Sequence, residues 1–320
     1  MSLNFKKLYF ELLRVRLTEE EISNRYSLQK MRCPVHLSIG QEAIPVGISY
    51  NLSRQDKIVT AHRSHAHYLA KGGNLKKMIA ELHGKETGCA NGKGGSMHLI
   101  DLLTGVEAAV PIVGSTIPIG VGISWGQKLN KTKNICVIFF GDGATEEGVF
   151  LESLDFASLK NLPTLFVCED NNFSVYSSKT KRQSQKRNIL KIAKSIGIDG
   201  IEMNGNNVFE IAKKSKILID SIKKKSSPKI MLLNTFRHLE HCGPNNDDNL
   251  NYRSRKYINK WLKNCPIKYA ESFLIKNKLL IKDDILSYRK KINKEINLAF
   301  KFSDNSKFPK KNQLLKDIYA

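Results

Sequence analysis

One stretch of the chain, Ile135 to Asn172, restricts the fold more than any other. ICVIFF (135–140) is an apolar run too short for a helix and rich in β-formers, which predicts a buried strand. Gly141-Asp142-Gly143 breaks that strand with residues that tolerate tight backbone angles. Val149, Phe150, Leu154, Ala157 and Leu159 then fall at helical positions, with Glu146 and Glu147 near the helix start. Thr164 to Cys168, after Pro163, predicts a second buried strand. The sum is a βαβ unit, whose strands run parallel through a right-handed crossover. Asp142 and Asn171 thereby lie just past the carboxyl ends of the two strands, the rim where open α/β sheets bind ligands. A carboxylate and an amide oxygen are hard ligands for Mg2+ or Ca2+. The intervening helix aims its N-terminus at the same rim, where its dipole favours phosphate. Either tripeptide alone, Gly-Asp-Gly or Asp-Asn-Asn, would be only a turn. At the two strand ends of one crossover they point instead to a metal holding a phosphate-bearing cofactor.

The chain's 320 residues can bury a large core, and a hydrophobic fraction of 41% suits a globular protein. The net charge of +22 is unevenly placed: residues 173–320 carry 33 Lys+Arg against 13 Asp+Glu, residues 1–172 carry 19 against 17. A basic half raises nucleic acid as a partner. Of those 33 cations 27 are lysines, spread among Asn and Ile without a recognition module, which argues against it and for a solvated surface or an acidic protein partner. Six cysteines without a C-x-x-C pair predict a reduced, cytoplasmic chain. Ala108 to Gln127 is uncharged, but Pro111, Pro118 and several glycines break it into a loop and a small-residue helix rather than a membrane span.

Along the chain, residues 4–30 predict an amphipathic helix and 56–60 a strand. Helices are expected at 75–83, 118–129, 189–196 and 208–224, strands at 198–203 and 229–234. Residues 174–188 are polar and basic, a candidate loop, and the tail beyond Tyr252 reads as helical and peripheral. The expected organisation is an N-terminal helical extension (1–30), a parallel α/β domain (31–260) and a Lys-rich helical C-terminal extension (261–320).

All eight histidines lie outside the βαβ unit. His62-x-x-His65-x-His67, completed by His238 or His241, allows a zinc site, although no Cys or acid sits at ligand spacing. For His67 and His83 a satisfied structural role is the better expectation.

The run from Gly141 to Asn172 resembles the thiamine diphosphate signature, and Gly148, Glu152, Leu162-Pro163 and Cys168-Glu169 make it most similar to the alpha subunit of thiamine-dependent 2-oxo acid dehydrogenases of the pyruvate, branched-chain or acetoin type. Gly92-Lys-Gly-Gly-Ser-Met-His98 and His36-Leu with Gly40-Gln-Glu-Ala43 extend the resemblance over about residues 30–265. It implies thiamine diphosphate and Mg2+ as cofactors, the metal held by the side chains of Asp142 and Asn171 and the carbonyl of Phe173. It also implies Gly143 and Ala144 beside the cofactor, His62-Arg63 at the diphosphate, with His for the usual Tyr, and the Pro111 to Gly114 segment, including Val113, at the aminopyrimidine. An Arg suits that task because its fork bonds phosphate oxygens while staying charged. Thr235-Phe-Arg-His-Leu-Glu-His241 is similar to the family's active-site loop, so His241 joins His36 and His65 as candidate catalytic groups. Asp170 stands where the family has Asn, and Cys242 where the animal pyruvate enzymes have a phosphorylated Ser. The implied partners are a beta subunit that supplies the activating Glu in an α2β2 assembly, a lipoyl-bearing acyltransferase as acceptor, and a 2-oxo acid substrate. A transketolase-like carbon–carbon transferase and a non-catalytic basic binding protein on the same fold are the alternatives.

Overall fold

The computed structural model describes residues 3–313 and 315–316. Six parallel strands form the central sheet: β1 (Lys57–Ala61), β2 (Val106–Val110), β3 (Cys136–Gly141), β4 (Thr164–Asp170), β7 (Asp199–Asn204) and β8 (Lys229–Asn234), in the order β2-β1-β3-β4-β8-β7. A two-stranded antiparallel hairpin, β5 (Phe173–Ser174) and β6 (Ser177–Ser178), stands at the end of β4. The helices are α1 (Phe5–Tyr26), α2 (Ala43–Ser49), α3 (His65–Ala70), α4 (Leu75–Leu82), α5 (Thr116–Leu129), α6 (Gly148–Leu159), α7 (Lys179–Arg182), α8 (Ile189–Ser195), α9 (Val208–Lys225), α10 (Arg255–Lys263), α11 (Pro266–Lys276) and α12 (Lys282–Asn305).

Strand alternation divides the core into two layers, because successive side chains leave a strand on opposite faces. Val137, Phe139, Leu165, Val167, Met231 and Leu233 face one layer, with apolar residues of α1, α2, α4, α9, α11 and α12. Cys136, Ile138, Phe140, Phe166, Cys168, Ile230 and Leu232 face the other, with residues of α5, α6 and α8. Parallel strands covered on both sides read as unbroken apolar runs, which is how ICVIFF and TLFVC read.

Several elements depart from expectation. β2 straddles the start of the uncharged stretch and was not expected, since Val106-Glu-Ala-Ala-Val110 has little β-forming character beyond its two valines. A 3-10 turn, Asp142–Glu146, precedes α6, so the helix begins only at Gly148. Residues 174–188 contain the end of the hairpin and the short α7. The C-terminal region is not peripheral: Ile292, Ile296, Ala299 and Phe300 of α12 are buried in the same core as α1 and α4, while Lys290, Lys291 and Lys294 face outward. None of the helices is long and apolar enough to cross a membrane, among the described residues.

Candidate functional site

A cleft opens at the carboxyl ends of β1, β3 and β4, lined by Arg63, Asp142, Asn171, Phe173, His241 and their neighbours. Parallel pairing in register, Gly141 against Glu169, brings the ends of β3 and β4 to the same level, so Asp142 and Asn171 share this rim. His36, His62, Pro111, Val113, Gly143 and Ala144 complete the group of expected site residues lining it.

Asp142 is 1% exposed. Burial, and then repulsion from Asp170, raise its pKa from 3.8 to about 6, against the pull of Arg182. Arg182 Nη2 donates to Asp142 Oδ2 at 2.5 Å, and its Nη1 pairs with Glu146. Lys179 pairs with Asp170. Two cations from α7 thus neutralise carboxylates at the ends of β3 and β4, which explains how Asp170 is accommodated. Asn171 is oriented from both ends: Nδ2 donates to Gln41 Oε1 at 3.0 Å, and Oδ1 accepts from the Phe173 backbone N–H at 3.0 Å. An amide oxygen has a second lone pair, so that bond leaves it able to ligate a cation.

The other end of the cleft is cationic. The Arg63 guanidinium, 7% exposed, donates to the Leu37 carbonyl at 2.6 Å and the His241 carbonyl at 3.0 Å. It makes no salt bridge among the described residues. Burial, with Arg237 adding repulsion, lowers its pKa to about 9. A buried guanidinium held only by carbonyls is an anion site in waiting.

His36, His62 and His241 meet at this end with ring centroids 4.6 to 5.2 Å apart. Two loops bring them together: Gly243 N–H donates to the Val35 carbonyl at 2.8 Å and His238 N–H to the Ile39 carbonyl at 2.9 Å. Glu42 and Gly40 fix the first loop. Glu42 Oε1 accepts from the Gly40 N–H at 3.0 Å and pairs with Arg16 Nε at 2.5 Å. Burial and the nearby Arg63 charge lower all three pKa values, to about 2 for His36, 4 for His62 and 3 for His241. The rings are therefore neutral at pH 7.

His65 is placed differently. It is fully buried, with Nδ1 3.1 Å from Glu19 Oε2 and Nε2 2.7 Å from Ser96 Oγ, and it does not line the cleft. This makes it a positioning group between α1 and the GKGGSMH loop rather than a catalytic one. The same loop is held by Glu81, whose carboxylate accepts from the N–H groups of Ala90, Gly92, Gly94 and Gly95 at 2.7 to 3.1 Å. His67 Nδ1 bonds the Arg63 carbonyl at 3.1 Å. The zinc arrangement through His62, His65 and His67 therefore does not form: the last two rings turn into the core with partners of their own.

Four contributors were not anticipated: Glu19, Gln41 as the bond to Asn171, Lys179 and Arg182. Only Gln41, inside the Gly40-Gln-Glu-Ala segment, carried a signal in the sequence. The others act across separations of 9 to 46 residues from their partners.

The sequence matches the dehydrogenase E1 component family over residues 11–312. The chain belongs to that family. Pyruvate dehydrogenase E1 component subunit alpha of Rickettsia typhi is 32% identical over 314 residues, covering 98% of this chain and 95% of the relative. The alpha subunit of acetoin:2,6-dichlorophenolindophenol oxidoreductase of Bacillus subtilis is 31% identical over 319 residues, covering 98% and 92%. The mitochondrial pyruvate dehydrogenase E1 alpha subunit of Dictyostelium discoideum is 30% identical over 312 residues, covering 97% and 81%. The chain is an alpha subunit of a thiamine diphosphate- and Mg2+-dependent 2-oxo acid dehydrogenase component, and such a subunit works with a beta subunit. The donor set fits that cofactor, since hard oxygen donors and a buried guanidinium that makes no salt bridge among the described residues line the same cleft.

Proposed function

We propose that this cleft holds the cofactor with its diphosphate at Arg63 and His62, and its cation at Asp142, Asn171 and the Phe173 carbonyl. Pro111, Val113, Gly143 and Ala144 flank the rest of the cofactor, and His36 and His241 face the substrate. The observation that carries this placement is the Arg63 guanidinium, buried without an acidic partner in the cleft that also contains the buried Asp142. When bound, thiamine diphosphate supplies the nucleophilic carbon and electron sink that decarboxylation of a 2-oxo acid requires. The chain's own residues bind, orient and exchange protons. His36 Nδ1 is buried and has no hydrogen-bond partner among the described residues, which leaves it for an oxygen of the substrate. His241, neutral at pH 7, accepts a proton or a hydrogen bond at the same mouth. Displacing Arg182 from Asp142 opens that carboxylate to the metal.

The preferred substrate is a short 2-oxo acid of the pyruvate kind, supported by the relatives' names and by three imidazole rings crowding the mouth. A carboxylate of the beta subunit activates the cofactor, and a lipoyl group of an acyltransferase takes the acyl unit. The chain would then work in an α2β2 assembly. The acetoin-oxidising relative supports a second reading, cleavage of an acyloin at the same site. Reconstitution with the beta subunit tests both. Reduction of an artificial electron acceptor by pyruvate, absent from either chain alone, is the expected result. Turnover of acetoin alone would favour the second reading, and robust turnover by this chain without a partner would overturn the shared site.

A further inference from the structure

The three imidazoles lining the cleft, each given a separate role above, also stand together as a compact cluster. One ring nitrogen from each of His36, His62 and His241 lies within 4.8 Å of the other two. We propose that His36, His62 and His241 form a binding site for a first-row transition metal ion, Zn2+ being the best chemical match, in the cofactor-free subunit.

Three observations carry it. First, the geometry needs only modest closure. Tetrahedral zinc with bonds of about 2.0–2.1 Å to imidazole sets its ligand nitrogens roughly 3.3 Å apart. Small rotations of rings whose centroids lie 4.6 to 5.2 Å apart supply the difference. Second, His36 is 6% exposed and its Nδ1 has no hydrogen-bond partner among the described residues, so a buried lone pair or N–H is left unsatisfied there. Third, three imidazoles whose ring nitrogens converge in a cleft match the donor set of open zinc sites, which keep a fourth position free.

Charged groups also face the cluster. Arg63 repels any divalent cation there alike, so the choice of Zn2+ over Mg2+ rests on the nitrogen donors, since Mg2+ prefers oxygen and has little affinity for imidazole. Arg63 also favours an anion in the fourth position. Glu169, at the cleft wall, partly offsets the Arg63 charge. His62 stands where the family has Tyr, so the site is a property of this chain's own substitution. That zinc and thiamine diphosphate would compete for the cleft rests on the proposed function; the three-histidine site itself does not.

The test is calorimetric titration of ZnCl2 into the purified full-length chain, stripped with a chelator, for the native sequence and for His62→Tyr, His36→Gln and His98→Gln. One equivalent of zinc is expected, weakened about 100-fold or more by either cluster substitution and unchanged by His98→Gln, whose ring is exposed elsewhere. Because a substituted chain can misfold, Co2+ added to the native chain gives a second measure. Visible d–d bands of a nitrogen-ligated tetrahedral ion, without thiolate charge-transfer absorption, are expected. No stoichiometric site, zinc binding indifferent to both His62→Tyr and His36→Gln, or a thiolate band would overturn the proposal. Cofactor affinity, titrated separately with Mg2+ and no zinc, reports on the proposed function and distinguishes its failure from this one.

Discussion

Asp142 and Arg63 share one property: each is a charge taken out of water whose compensation is incomplete. Asp142 leans on Arg182 and still titrates near 6, and Arg63 has only carbonyls. Cofactor-free, the cleft stores this imbalance, and a magnesium–diphosphate pair would relieve both ends at once. Metal affinity should therefore depend on pH with the sign set by Asp142. Above about pH 6 its carboxylate is free to ligate; below, a proton competes, and Mg2+-dependent cofactor affinity should fall up to about tenfold per pH unit. Titrations at pH 5 and pH 7.5 check this, and equal affinities would contradict it. Arg63→Gln should weaken cofactor binding by at least about 100-fold, since it removes a charge-assisted contact from a desolvated site. These roles were legible in part. The placement of Asp142 and Asn171 on one rim was legible because Gly-Asp-Gly and Asp-Asn-Asn stand at the two strand ends of one crossover, whereas Arg182 lies in a polar, basic stretch that looks like any surface loop.

At the scale of elements, the site depends on loops that the sheet alone does not fix. The loop carrying His36 turns at Gly40, where φ is +99° and a Cβ would lie 2.3 Å from the Phe236 carbonyl oxygen. Gly40→Ala should destabilise the chain by about 1–3 kcal/mol or more, through the left-handed backbone and the clash together. Equilibrium denaturation measures it, and an unchanged midpoint would show the loop to be free to move. Glu42 anchors the same loop from a fully buried position against Arg16. Glu42→Ala strands a buried guanidinium and should cost about 3–5 kcal/mol. The strands at 136–141, 164–170 and 229–234 were legible because double-sided burial demands unbroken apolar runs. β2 was not, since an edge strand needs no such run: Glu107 within it pairs with Lys57 of β1. The core role of α12 was masked by its lysines, which occupy only the outer face of an amphipathic helix.

For the whole molecule, the buried histidines set the response to acid. His36, His62, His83, His238 and His241 are all held below 6.5 by burial, at values between about 2 and 4. Each binds a proton more readily unfolded than folded, so its stabilising contribution is full above 6.5 and is lost as pH falls from 6.5 through its own folded value, between about 4 and 2. Asp142 works in the opposite sense between about 6 and 3.8, and Glu20, also raised by burial, joins it, but they are two groups against five. The cofactor-free chain should lose stability of order 5 kcal/mol between pH 7.5 and 5.5, read from denaturant midpoints; a flat profile would mean the cluster is hydrated. Lys179 and Arg182 bring two cations of the basic half to the cleft carboxylates; for its other lysines, a steep salt dependence of beta-subunit or acyltransferase binding would indicate an acidic docking surface on the partner. The most direct test of the central claim is titration of thiamine diphosphate into the α/β assembly with and without Mg2+, comparing the native chain with Asp142→Asn. Binding should require the metal and weaken at least about 100-fold in the variant; cofactor binding that ignores both the metal and the substitution would overturn the assignment of Asp142 to the metal.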